Sequence, residues 1–547
     1  MMKTCAVSGK EFEVTEDDLE FYEKMGVPTP KLCPSERCRR KSVWRNEKKL
    51  YRRKCDFSQK DIIAMYAPKS PFKVYNQESW WSDKWNALDY GRDFDFSRPF
   101  FEQFRELQLE VPRISLMNKN SQNCQYTNHS ANNKNCYLST VIFDSEDIYY
   151  SNWVIDHGVN CIDCSLLFEG CQLCYEVYYA WGAYQAFFCE FIRRCRDVWF
   201  CYDCINCNNC FMCSNLRSKE FCIKNQQYSQ EDYQKIMNDI LPMSHTQLEK
   251  FKDIFAELKK SSIHRANYCL QTENSSGNLL FNTKNCKQCF DCAEGEDLGY
   301  CTDTISLKDV YDGYHMGWSQ LVYDCHAIAN SFDILFSHFS YDNKNIGYCD
   351  SVHNSNNLFG CVGINHKQYC ILNKEYPKEE YLELRRKIIE HMKQTGEWGE
   401  FFPMEVAPFA YNESVAQDFF PLSKEEVLAF GHHWRDEDKK DYKPATTQVP
   451  ETIADTPDSI CEEILACEDC QRNYKIQTEE LKFYKKNELP IPRKCLECRH
   501  TRRVVLRKNR TLHDRTCSNC SAKIQTTFAP DGPEKVYCEK CYLEAVN

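Results

Sequence analysis

The 547-residue chain has no apolar run longer than a few residues, far short of a membrane span. It also has no signal-peptide core, since Met1-Met2-Lys3-Thr4-Cys5 meets Glu11, Glu13, Glu16, Asp17 and Asp18 with nothing apolar before them. A cytoplasmic location is the expectation. No catalytic dyad, Gly-rich phosphate loop or nucleotide fingerprint occurs, and no RNA- or DNA-recognition signature. Positive charge is in deficit overall. The net charge of −11 opposes nucleic acid and anionic membranes wherever basic groups do not cluster locally. What remains is ordinary globular composition, 42% hydrophobic and 27% charged, in a chain long enough for several domains.

Cysteine is present in excess, at 36 residues. In a large chain without an export signal, reduced thiols and metal sites are expected before disulfides. Nine cysteines lie beyond residue 460, four before residue 60, and 23 between Cys124 and Cys370. These populations need separate explanations.

The first eighty residues align with the last eighty, without a gap, at a constant offset of 462. Cys5 falls on Cys467, Cys33 on Cys495 and Cys55 on Cys517, so one module stands at both ends. The C-terminal copy carries four C-x-x-C pairs: Cys467/Cys470, Cys495/Cys498, Cys517/Cys520 and Cys538/Cys541. Two such knuckles complete a tetrahedron around one cation, which predicts two closed, structural zinc sites. Their binding energy, about 10–16 kcal/mol per site, would be folding energy for a module with little core of its own. Sequential pairing and a cross-brace use the same spacings. Sequential pairing is preferred, because the N-terminal copy has lost its ligands site by site, with Ser8, Glu36, Ser58, Asn76 and Ser79 at the partner positions. Cys5, Cys33 and Cys38, with Glu36, make a third candidate zinc site of fewer ligands; the alternative is a ribbon that folds by packing on its neighbours.

Both copies are densely basic between the second and third cysteine positions. Arg39, Arg40, Lys41 and Arg45 stand in one copy, and Arg499, Arg502, Arg503, Arg507, Lys508 and Arg510 in the other. Two readings stay open. A zinc ribbon presenting such a row can hold the phosphates of a nucleic acid; alternatively the row pairs with the acidic remainder of the same chain.

The middle repeats every twelve residues. Asn285, Asp297, Asp309, Leu321, Asp333, Asn345 and Asn357 form one column, and Cys289, Cys301, Gly313, Cys325, Ser337, Cys349 and Cys361 another; a looser version fills residues 135–224. Asn and Asp suit turns, and the apolar and aromatic residues between them suit strands. A dozen residues make one coil of a narrow β-solenoid whose thin interior admits small groups such as Cys, Ser and Gly. Cys201, Cys204, Cys207, Cys210 and Cys213 also resemble part of an iron–sulfur run. Packing is the preferred reading, since Cys201 and Cys213 share a column. His326, His338, His315 and His353 are expected at solvated coil positions. The solenoid is duplicated, with residues 219–225 matching 367–373.

The fold expected is therefore mainly β with capping helices. A degenerate ribbon module spans 1–82, an aromatic and helical connector 83–118, and solenoid half one 119–227. A helical insertion occupies 228–263, solenoid half two 264–374, and a helical cap with an irregular segment 375–434. An acidic linker at 435–460 leads to the two-zinc module, 461–547.

Pro28-Thr29-Pro30-Lys31-Leu32-Cys33-Pro34, Trp44-Arg45-Asn46-Glu47, Trp80-Trp81-Ser82-Asp83-Lys84-Trp85, and the stretch from Gly396 to Ser414 carry a family likeness. Over essentially its whole length the chain resembles a family of large zinc-ribbon proteins of ultra-small, candidate-phyla bacteria. The resemblance implies intracellular zinc binding and brings no established activity. Typical members keep more N-terminal ribbon cysteines, from which Ser8, Glu36, Ser58, Asn76 and Ser79 depart.

The function expected is that of a non-enzymatic zinc-binding recognition or scaffold protein, with nucleic acid or protein as candidate partner and no membrane. One alternative is a redox or metal-cluster enzyme using the central cysteines, and another a pure protein-interaction scaffold. No oligomeric state follows from the sequence.

Overall fold

The structure is a computed structural model describing residues 1–436, 441–507 and 510–546. It consists mainly of strands, with helices in the minority. Among the described residues no helix is long and apolar enough to cross a membrane. Two compact units divide the chain. The first comprises Met1–Leu116, Asn267–Asp436 and Arg510–Leu512; the second comprises Met117–Ala266 with the described residues of 437–509 and 513–547.

Each unit contains a parallel β-stack. In the second unit Gln172 pairs with Tyr184, Tyr184 with Arg196, Arg196 with Asn208 and Asn208 with Glu220, twelve residues per step. The earlier step from Val159 to Gln172 takes thirteen. In the first unit Phe332 pairs with Lys344, Lys344 with Asn356 and Asn356 with Gln368. Each stack closes with a short antiparallel return, Gln226–Gln227 in one and Lys374–Glu375 in the other.

Within each twelve-residue step the backbone turns a corner four times. Positive φ recurs at every third residue, as at Asn206, Asn209, Met212 and Asn215, and again at Asp333, Phe336, Phe339 and Asp342. Twelve residues therefore make four short sides with four left-handed corners. Asn and Asp enter that conformation readily; Phe, Leu and Trp do so only where surrounding structure holds them. The residue after each corner points inward. That rule places Cys201, Cys204, Cys207 and Cys210 on the four sides of one coil and Cys213 above Cys201 on the next, all buried. Their spacing by three is the length of a side. Their thiols donate to main-chain carbonyls two residues back, Cys201 to Trp199 at 3.5 Å and Cys213 to Phe211 at 3.3 Å. Ser331 bonds the carbonyl of Ala329 in the same way at 2.8 Å.

His326, His338 and His353 are buried, which corrects the expectation of solvated positions. Trp44 and Tyr314 cover the His326/His338 pair, and Trp80, Trp81 and Tyr341 surround His353.

A helix follows each stack, Gln230–Ile240 and Lys378–Thr395. Tyr233 packs on Phe221 in one, and Tyr381 on Tyr369 in the other. The helix Phe100–Glu110 packs on Tyr348 and Phe359 of its own unit.

Candidate metal centre

The two ribbon copies have the same local build. A short hairpin, Met2–Thr4 with Glu11–Glu13, is followed by helices Glu16–Lys24 and Pro34–Ser42 and a second hairpin, Tyr51–Lys54 with Asp61–Ala64. The C-terminal copy runs Leu465–Ala466 with Asn473–Tyr474, Thr478–Lys486, Leu496–Leu506, then His513–Thr516 with Lys523–Thr526.

Each knuckle is a turn fixed by main-chain bonds. Cys467 N–H bonds the carbonyl of Arg472 at 3.0 Å, and Cys517 N–H that of Ala522 at 2.8 Å. Left-handed Gln471 and Ser521 let the chain reverse. The second pair of each site stands at a helix start: Cys495 is the N-cap of Leu496–Leu506, and Cys538 precedes Glu539–Val546.

The sulfurs gather sequentially. Those of Cys467, Cys470, Cys495 and Cys498 all lie within 4.8 Å of one another, as do those of Cys517, Cys520, Cys538 and Cys541. The Cys470–Cys495 separation is 3.6 Å and the Cys520–Cys538 separation 3.8 Å. Four thiolates about 2.3 Å from a tetrahedral ion sit about 3.8 Å apart, so both quartets fit a single metal ion, and the cross-braced arrangement is not the one formed. Burial alone would raise the Cys467 thiol, but N–H groups of Cys495, Cys470 and Asp469 outweigh it and hold it down to about 7. At Cys517 the same opposition, with N–H groups of Cys520, Cys538 and Asn519, gives about 6. With four protein ligands in each, neither site leaves a position open for substrate.

The N-terminal candidate site does not assemble in the same manner. Cys5 and Cys33 remain together beside Ser8, whose Oγ is 3.7 Å from Cys33 Sγ. Cys38 lies elsewhere, against Thr302, Asp303 and Arg510, and Glu36 is engaged by Arg39. A helix turns by about 100° per residue, so Cys38, five beyond Cys33, cannot occupy the place of Cys498. Among the described residues, only the two C-terminal quartets bring three or more metal-ligating groups within 4.8 Å; the central Cys201–Cys213 run does not.

The basic rows have another destination. Arg37 meets Asp312 at 2.9 Å, and Arg40 and Lys41 share Asp324 at 2.7 and 2.5 Å, with Arg40 also on Glu400. In the other copy Arg499 and Arg503 share Asp163, and Arg502 meets Glu176 at 2.6 Å. Arg37, Arg40 and Lys41 are the residues aligned with Arg499, Arg502 and Arg503. Both ribbon helices thus dock on an acidic corner of the stack in their own unit. Arg39 pairs with Glu36, Arg45 with Glu47 at 2.5 Å, and Arg510 with Asp303 and Asp291. Of these only Arg502 is half-exposed; Arg507 is half-buried, and Lys508 lies outside the described residues. Pairing within the chain is therefore the reading that these contacts match.

The aligned acids repeat as well. Tyr300 donates to Asp18 at 3.0 Å, and Tyr150 to Glu480 at 2.9 Å. The carboxylates that receive the cations, Asp312 and Asp324, stand outside the Asn/Asp column of the repeat, so the column did not point to them. Compared with known protein families and with curated proteins, the chain matches no family and no curated sequence.

Proposed function

We propose that the chain is a non-enzymatic zinc protein: two four-sided β-solenoids, each clasped by a ribbon module, with two structural zinc ions in the C-terminal module. Four clustered sulfurs with no open position are the observation that carries this reading, since such a set favours zinc held for folding over a metal that meets substrate. The doubled docking of basic helix on acidic coil supports a scaffold, because the same electrostatic clasp is kept where the metal ligands have been lost. Membership of the large zinc-ribbon family belongs to the same proposal. Its role is recognition of a partner by surfaces other than Arg37, Arg40, Lys41, Arg499 and Arg503, which the chain's own carboxylates occupy.

Elemental analysis of the purified protein tests it. Two zinc per chain and no iron is the expected result. Iron with acid-labile sulfide in a coloured preparation would instead make the central thiols a cluster site.

A further inference from the structure

A groove of about 1450 Å³ runs along one corner of the stack in the first unit. Its floor is an inward column of Ser319, Ser331, Asn343 and Ser355, each bonded to the next coil: Ser331 N–H to Ser319, Asn343 N–H to Ser331, and Ser355 N–H to Asn343. One rim is the corner column Glu294, Ser306, Trp318, Asn330, Asp342 and Asn354; the other includes Lys308, Phe332, Lys344 and Asn356. Tyr369 and Lys378 close one end.

Trp318 is 60% exposed and Phe332 42% exposed. Trp318 also holds a left-handed corner, with φ of 47°. A large aromatic at such a corner costs backbone strain and, being exposed, recovers little of it by packing. Around the two rings the lining is amide, hydroxyl and carboxylate. Its ionic groups nearly cancel, with Glu294, Glu296, Asp333 and Asp342 against Lys308, Lys344 and Lys378. Several are already paired: Lys308 meets Glu296 at 2.8 Å, and Asn330 donates to Asp342 at 3.1 Å. A near-neutral lining gives no hold on a polyanion, and two isolated rings are too little apolar surface for a hydrophobic helix.

We propose that this groove binds a linear, neutral oligosaccharide, stacking sugar faces on Trp318 and Phe332 and bonding hydroxyls to the amide and carboxylate columns. Aromatic faces with a wet polar rim match a ligand whose rings have apolar faces and hydroxylated edges. The wall repeats every coil, about 4.8 Å, so each rim presents one side chain at a stride close to one sugar ring. From Glu294 to Asn354 is five such steps, about 24 Å, room for about five rings in line.

The groove lies in the unit that does not contain the cysteine quartets, so its test is independent of the zinc reading. The full-length, metal-loaded protein is titrated calorimetrically with cello-, chito- and malto-oligosaccharides of increasing length. One series binds, with affinity rising to about five rings and then level. Trp318→Ala and Phe332→Ala each weaken it about tenfold or more while melting temperature and zinc content stay unchanged. Absence of binding in all three series overturns the proposal. So does binding that neither substitution weakens, or binding confined to sulfated or uronic sugars and abolished by salt.

Discussion

Asn76 donates its backbone N–H to Cys55 Sγ at 3.3 Å, the same bond that Cys538, its counterpart, makes to Cys517 at 3.3 Å. The knuckle has outlived its ligands. Asn76 also caps the helix Gln77–Trp80 by accepting from Ser79 N–H, and Ser58 N–H bonds Cys55 at 3.3 Å. Where the C-terminal copy has Cys538, the Cys55 thiol donates to Asn76 Oδ1 at 3.7 Å.

Restoring the ligands should restore the metal. Ser8→Cys with Glu36→Cys recreates, beside Cys5 and Cys33, the set found at Cys467, Cys470, Cys495 and Cys498. The variant should carry one zinc more than the parent by elemental analysis; an unchanged content would show that the N-terminal turn no longer closes on an ion.

Removing ligands should act site by site. Cys498→Ser should lower zinc by one per chain and leave the Cys517/Cys520/Cys538/Cys541 site loaded, because the quartets share no sulfur. Chelation should unfold the C-terminal module, seen as new protease cleavage within 461–546, since each ion supplies about 10–16 kcal/mol of folding energy.

The docking clasp should be costly to break from one side. Asp324 is buried; burial pushes its carboxyl up, but Lys41 and Arg40 outweigh this and hold it below the usual carboxylate range. Asp324→Ala strands the buried Lys41 and leaves Arg40 with Glu400 alone, and should destabilise by about 3–5 kcal/mol. Urea unfolding of Asp324→Ala, alone and combined with Lys41→Met, checks this; a smaller loss in the double variant identifies the stranded charge as the cause.

Stability should fall below neutral pH before carboxylates titrate. Burial pushes His338 in one unit down to about 4, and does the same to His432 and His245. Unfolded, each takes up its proton near the ordinary value of 6.5, so between that pH and about 4 the unfolded chain binds more protons than the folded one. Their contribution is therefore full above that window and lost as pH drops through it. His338→Gln should flatten the slope by about 1–3 kcal/mol between pH 7 and pH 4 in urea titrations.

The central thiols should tolerate serine and resist bulk. Cys201→Ser keeps a donor to the Trp199 carbonyl, as Ser331 does for Ala329, and should cost under about 1.5 kcal/mol. Cys201→Leu should cost more, about 1–3 kcal/mol, because the coil cannot widen. Thermal melting separates the two.

Much of the metal site was legible, because C-x-x-C at a turn and at a helix start is local chemistry: Cys467 and Cys470 belong to one turn whatever surrounds them. Cys38 misled for the complementary reason. Its spacing from Cys33 looked ligand-like, but the helix Pro34–Ser42 carries it round to Thr302 and Asp303. The coil's four corners were equally present in the cysteine spacing of three, masked because only Asn and Asp announce a left-handed residue, and Phe336 or Trp318 does not.

By itself the sequence determined the duplicated modules, the cysteine pairs and the twelve-residue repeat, all of which follow from residue type at short or constant spacing. Tertiary structure alone decided that Arg499 and Arg503 meet Asp163, that Arg40 and Lys41 meet Asp324, and that His338 is dry. Those outcomes depend on which surface covers a charge, and burial is a property of neighbours brought from hundreds of residues away.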